Sequence, residues 1–205
     1  MKRARLFVLL FTLLMIALMS VRCAGPTRTV SRVQVDKAID ISGRWNDTDS
    51  RMTAQAMVKE ILSSPWLDNF VQENDRKPTV IVGRIQNRTS EHLDTGLFIK
   101  DIEKTLINSG SVTFVASGKA RKEIRSERLD QQSHANVETA KELANEQGAD
   151  FMLQGAIYSA TDSFEGKAVV LYKVNLELIN LETNTKAWIG DKQIKKFIQQ
   201  DKYKW

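Results

Sequence analysis

From residue 47 onward the apolar positions follow first a helical and then a strand period. In NDTDSRMTAQAMVKEILSSPWLDNF, Ala54, Met57, Val58, Ile61 and Leu62 recur at helical spacing and form one apolar face. Asp47, Thr48 and Asp49 offer side-chain oxygens to the unpaired N–H groups of its first turn. Pro65 ends that run, and Trp66, Leu67 and Phe70 make a further apolar patch. KPTVIVGRI reads as a short β-rich strand, and GRIQNRTSEHLDTG (83–96) as a polar loop. TGLFIKDIEKTLINSG reads as a helix with a stripe of Leu97, Phe98, Ile102, Leu106 and Ile107, closed by Gly110. SVTFVA is another strand. Residues 117–150 are polar and helix-forming, with a break near Ser133 to Asn136; beyond it Val137, Ala140, Leu143 and Ala144 face one way, and Gly148 stops the run.

The period then changes to two. ADFMLQGAIYSA is a strand, FEGK a hairpin turn, and AVVLYKVNLELIN a longer strand in which Val170, Tyr172, Val174, Leu176 and Leu178 alternate with more polar neighbours. LETNT turns again and KAWIGDKQIKKF returns, with Trp188 as a core or sheet-edge aromatic. Two successive hairpins make an antiparallel meander, while the earlier strands, separated by helices, imply crossovers. The expected fold class is α/β: a single domain with a mixed β-sheet, helices on its faces and a C-terminal antiparallel meander.

Composition changes this picture at one end only. The 205 residues carry a net charge of +5, but Lys2, Arg3, Arg5 and Arg22 lie in or beside an N-terminal apolar stretch. Without those four, the excess of Lys and Arg over the 25 acidic residues falls to about one. Nucleic acid is therefore not an expected partner, because phosphate binding needs a concentrated cationic surface. The apolar stretch, Leu6 to Met19, is shorter than the roughly 20 residues that span a bilayer and follows a cationic start, so residues 1–22 read as a signal peptide. Cys23, the single cysteine, cannot form a disulfide within the chain. Its position resembles the lipid-attachment cysteine of bacterial lipoproteins, with Arg22 where those sequences carry a small residue and Ala24 permitting sorting to the outer membrane. The alternative is an unpaired cysteine beside an ordinary cleavage site or in an uncleaved anchor. Residues 23–47 read as a tether that becomes ordered toward Trp45, and 48–205 as the globular part.

Candidate chemistry is sparse. Ser90, His92 and Asp94 stand two apart, but working triads draw their members from separate segments, so a polar loop with Asp94 or Thr95 capping the next helix is the plainer reading. His92 and His134 are the only histidines, and no pair has metal-ligand spacing. SGKA at 117–120 lacks the upstream glycine and the following Ser or Thr of a phosphate loop. NDT at Asn46 and NRT at Asn87 spell glycosylation triplets. Lys119, Arg121, Lys122, Arg125 and Arg128 are balanced by Glu123 and Glu127 at helical spacing, as a solvated face or as a contact surface for an acidic partner. No acid–base pair, activated nucleophile or cofactor cradle is legible, so the expectation is a binding protein and not an enzyme.

Several stretches together resemble the LpoB family of lipoprotein activators of penicillin-binding proteins: SGRWNDTDSR, VIVGRIQNRTSEHLDT, FIKDIEKTLINSG, GADFMLQGAI and LINLETNTKAWIGDKQIKKF, in family order and covering nearly all of the chain after residue 41. The resemblance implies an outer-membrane lipoprotein, anchored through Cys23 and facing the periplasm. Its globular domain would touch a non-catalytic domain of a bifunctional class A penicillin-binding protein, a peptidoglycan synthase, and stimulate it. The resemblance assigns no contact residues. On physical grounds the candidates are Asn87, Arg88, Glu91, His92 and Asp94 in the loop, and Arg121, Arg125 and Arg128 on the basic helix. A subunit of an envelope secretion complex, like the curli-secretion lipoproteins, is the alternative, although no segment offers their long membrane-inserting hairpins.

Overall fold

The computed structural model describes residues 30–116, 118–134 and 147–199. The chain divides into two units, Met1–Lys37 and Ala38–Trp205. In the first, the described residues 30–37 are exposed, with a turn in which Lys37 N donates to Gln34 O at 3.2 Å. The second holds the fold.

It opens with helix α1 (Asp47–Leu62). The cap is Asn46 and not one of the three residues after it: its side chain accepts from Asp49 N while the Asp49 carboxylate accepts from Asn46 N, a reciprocal pair. Ala54, Met57, Val58 and Ile61 are buried as the spacing predicts. Pro65 does not merely end this helix. It stands in the first turn of a second, α2 (Pro65–Asn74), where its missing N–H is no loss. Trp66 and Phe70 on α2 meet the ring of Phe151 edge-on, at 5.0 and 5.3 Å between centroids.

Strand β1 (Thr79–Arg88) follows and is longer than expected, so Asn87 and Arg88 end a strand and do not begin a loop. Helix α3 (Thr95–Ser109) buries Phe98, Ile102 and Leu106, and Gly110 takes the left-handed conformation (φ 64°) after it. Leu97 and Ile107, assigned to the same stripe, are about half exposed. The stripe is therefore narrower than the apolar residues suggest, a single i, i+4 row. SVTFVA shrinks to the two-residue strand β2 (Thr113–Phe114). Helix α4 (Gly118–His134) buries none of its described residues. The expected second half with Val137, Ala140, Leu143 and Ala144 lies outside the described residues.

Strands β3 (Phe151–Phe164), β4 (Lys167–Asn180) and β5 (Lys186–Gln199) complete a five-stranded sheet in the order β2-β1-β3-β4-β5. β1 is parallel to β2 and β3, and the last three strands form the antiparallel meander. Glu165 and Gly166, both with positive φ, make the two-residue turn that the twist of a hairpin favours. Alternation buries Val170, Tyr172, Val174, Leu176 and Leu178 on one face, and the last three join Trp188 and the buried residues of α1 and α3 in the core cluster. The α/β class with a mixed sheet and packed helices is the fold observed.

Asp150, just before β3, ties the sheet's start together. Its carboxylate accepts two hydrogen bonds from Arg76, both 2.7 Å, and one from Thr79 N at 2.7 Å. The Arg76 guanidinium holds this carboxyl below the usual carboxylate range, outweighing the upward push of burial, and the Thr79 N–H adds to it. A carboxyl whose pKa is lower folded than unfolded stabilises above its unfolded value, near 3.9, and loses that contribution as pH falls through the folded one. Asp150→Asn should therefore lower the urea midpoint at pH 7, and the gap from wild type should narrow progressively as the pH falls below about 4.

Candidate functional site

The loop between β1 and α3 is held from within. Asn87 Nδ2 donates to Glu91 O at 2.7 Å, while its Oδ1 accepts from Thr89 N and Thr89 Oγ1 at 2.9 and 2.7 Å. Glu91 points back toward the core, where its carboxylate accepts from the Tyr172 hydroxyl and, at 3.3 Å, from Trp45 N. Tyr172 is fully buried, and burial first, then Glu91, push its pKa up, so it stays a neutral donor. Asp94 caps α3 by accepting from Gly96 N at 2.8 Å, as expected.

Three of the loop's five candidates, Asn87, Glu91 and Asp94, thus commit polar atoms to the fold. The side chains of Arg88 and His92 are exposed and have no hydrogen-bond or ion-pair partner among the described residues. No hydrogen bond joins Ser90, His92 and Asp94, so the three are not assembled as a triad.

The segment before α1 is clamped to the same side of the sheet. Trp45 packs edge-on against Tyr172 and Phe98 at 5.5 and 6.3 Å, and its Nε1 donates to Ser50 Oγ at 2.8 Å. Lys196, on the core side of β5 and 9% exposed, donates to Asp40 Oδ1 and Arg44 O at 2.6 and 2.9 Å and lies 2.6 Å from Asp49 Oδ2. Burial pulls this ammonium's pKa down, but the two carboxylates outweigh it and hold it above the ordinary lysine value. Asn46 carries out its capping while donating to Asp40 at 2.7 Å, so the side chain of this glycosylation triplet is already occupied.

On α4, Arg121 Nη2 donates to Ala116 O at 3.3 Å, and both Arg121 and Arg125 make further interactions. Arg121 and Arg128 line a cleft of about 240 Å³ with Phe114 and Ile124.

The sheet face turned away from the core holds residues that the sequence reading passed over. Between Val82 and Ile85 strand β1 advances three residues while β3 advances two, from Leu153 to Gly155. This bulge keeps both Val82 and Ile85 in the core and sends Arg84 to the opposite face. Register then stacks Gln86, Ala156 and Asn175 in one row and Arg88, Tyr158 and Lys173 in the next. Long side chains around Ala156 leave a hollow of about 290 Å³. The available signal was the break in alternation at Gly83, whose Cβ would lie 2.8 Å from Met152 Sδ.

The family model described as peptidoglycan-synthase activator LpoB matches residues 49–194, from the first turn of α1 to the middle of β5. The chain belongs to the LpoB family. That description names an activator of a synthase, a regulator and not a catalyst. Solved structures similar to the chain include the LpoB C-terminal domains of Escherichia coli (15% identity, TM-score 0.40) and Salmonella enterica (15%, 0.37), each match covering 74% of this chain and 99% of the other. A lipoprotein of Neisseria meningitidis is also similar (13%, 0.36), over 58% of this chain and 83% of its own. No curated sequence matches the chain. In this LpoB-family domain the clamp around Lys196 joins α1, β5 and the incoming segment. Lys196→Met leaves Asp49, 7% exposed, buried without its cation, and should cost about 3 kcal/mol in denaturant unfolding.

Proposed function

We propose that this LpoB-family protein is an outer-membrane lipoprotein that binds a bifunctional class A penicillin-binding protein from the periplasmic side and stimulates its peptidoglycan synthesis. The family match over residues 49–194 carries the reading and favours it over a secretion-complex subunit. An activator needs only to bind one state of the synthase more tightly than another, which shifts the population toward that state. Residues 1–22 serve as the signal peptide and Cys23 as the lipidated anchor. The tether assigned to 23–47 is effectively shorter, because the compact unit begins at Ala38. The 15 residues from Cys23 to Lys37 reach at most about 54 Å when extended. The domain then works close to its membrane, and the synthase must rise to meet it.

Contact falls to Arg88 at the end of β1 and His92 in the loop that follows, positioned by Asn87, Glu91 and Asp94, with Arg121, Arg125 and Arg128 as a second basic strip. Added to the class A synthase of its own species, the purified chain should raise the rate of glycan polymerisation several-fold; an unchanged rate together with no measurable binding would remove the reading. Radiolabelled palmitate should enter the wild type and not Cys23→Ala. Label that persists in the variant, or never enters the wild type, would contradict lipidation.

A further inference from the structure

We propose that the sheet face opposite the core, centred on Arg84, Arg88 and Tyr158, is the docking surface for an acidic protein surface, that of the synthase. This rests on the reading above and adds the chemistry of the partner's contact. Three observations carry it.

The first is charge. The carboxylates near the centre of this face are matched internally, Glu177 by Lys186 at 2.8 Å and Asp191 by Lys173 at 3.6 Å. Arg84, Arg88 and Lys195 have no carboxylate partner among the described residues. An uncompensated guanidinium pair on an exposed sheet is matched by carboxylates, which it can take in two-pronged hydrogen bonds.

The second is composition. Tyr158, Ile189 and Phe197 stand on the same face, 48%, 56% and 64% exposed. Arg with large aromatic side chains is the residue set that anchors protein interfaces. A sugar platform stacks rings against the ligand, and here a single half-exposed phenol borders the hollow. The hollow over Ala156, bounded by Gln86 and Gln154, is shaped to receive a projecting side chain and not a flat array of lipid headgroups.

The third is construction. Arg84 reaches this face only because of the bulge after Val82; continued alternation would place Arg84 in the core and Ile85 in solvent. Bulges of this kind re-aim side chains beside functional sites.

The test uses the full-length chain and the full-length class A synthase of the same species in detergent, with affinity measured at low and high salt. Arg84→Glu/Arg88→Glu should weaken binding about tenfold or more and flatten the salt dependence seen for wild type. Lys104→Glu on the exposed side of α3 should change it less than about twofold. Both arginines are exposed, so melting temperatures should stay within about 2 °C of wild type; Arg84→Ala/Arg88→Ala serves if the reversal unsettles the fold. Wild-type affinity in both arginine variants overturns the proposal and leaves the synthase reading standing. No binding by the wild type removes both. Loss of binding to phosphatidylglycerol vesicles or to purified glycan strands, with synthase affinity intact, assigns the face to those ligands and overturns it as well.

Discussion

Strand β1 gains one residue on β3 between Val82 and Ile85, and that unpaired residue decides what each face of the sheet can do. A strand exchanges its two faces at every step, so an odd insertion reverses the assignment of everything after it. Before the bulge Val80 and Val82 enter the core; after it Ile85 does, opposite Gly155 and Leu176. Only with this offset do the apolar positions of β1 stay in line with those of β3 and β4, while Arg84, Gln86 and Arg88 share the other side. One face is thereby apolar enough to hold α1, α2 and α3. The other is polar, cationic at β1 and aromatic beyond it.

The core face carries a second device, the clamp on the segment that enters the fold. Tyr172 on β4 and Lys196 on β5, two and three strands from β1, both project to the core side and gather Trp45, Glu91, Asp40 and Asp49. The incoming chain is therefore tied to the same side chains that fix the β1–α3 loop. Glu91 is the shared member, accepting from Tyr172 and Trp45 while its backbone carbonyl accepts from Asn87. The loop is built into the clamp, because Glu91 bonds both the incoming segment and the buried hydroxyl of β4.

Where one physical effect dominates, the sequence was readable. Tyr172 and its apolar neighbours alternate over nine residues of β4, and no competing pattern fits, so the meander and its hairpin at Glu165 and Gly166 were legible. Local chemistry misled at boundaries. Pro65 breaks a helix and also begins one, and only the packing of Trp66 and Phe70 on Phe151 makes the second outcome win. Asp47, Thr48 and Asp49 all looked like caps, but Asn46 wins through its reciprocal bond with Asp49. The loop's polar cluster was legible as polar and not as structural, because the groups that occupy Glu91 come from residues 46 and 81 positions away. Arg84 was invisible for a related reason: a bulge is a property of two strands in register, and sequence shows one strand at a time.

The two faces are divided: one folds the domain, and the other is the face proposed for contact. Chemical-shift mapping of the isotope-labelled chain titrated with unlabelled synthase tests this division most directly. The changes should gather at Arg84, Gln86, Arg88, Gln154 and Tyr158 and fade toward α1 and α3. Changes confined to the exposed sides of α1 and α3, with the β1 and β3 rows unmoved, would contradict it.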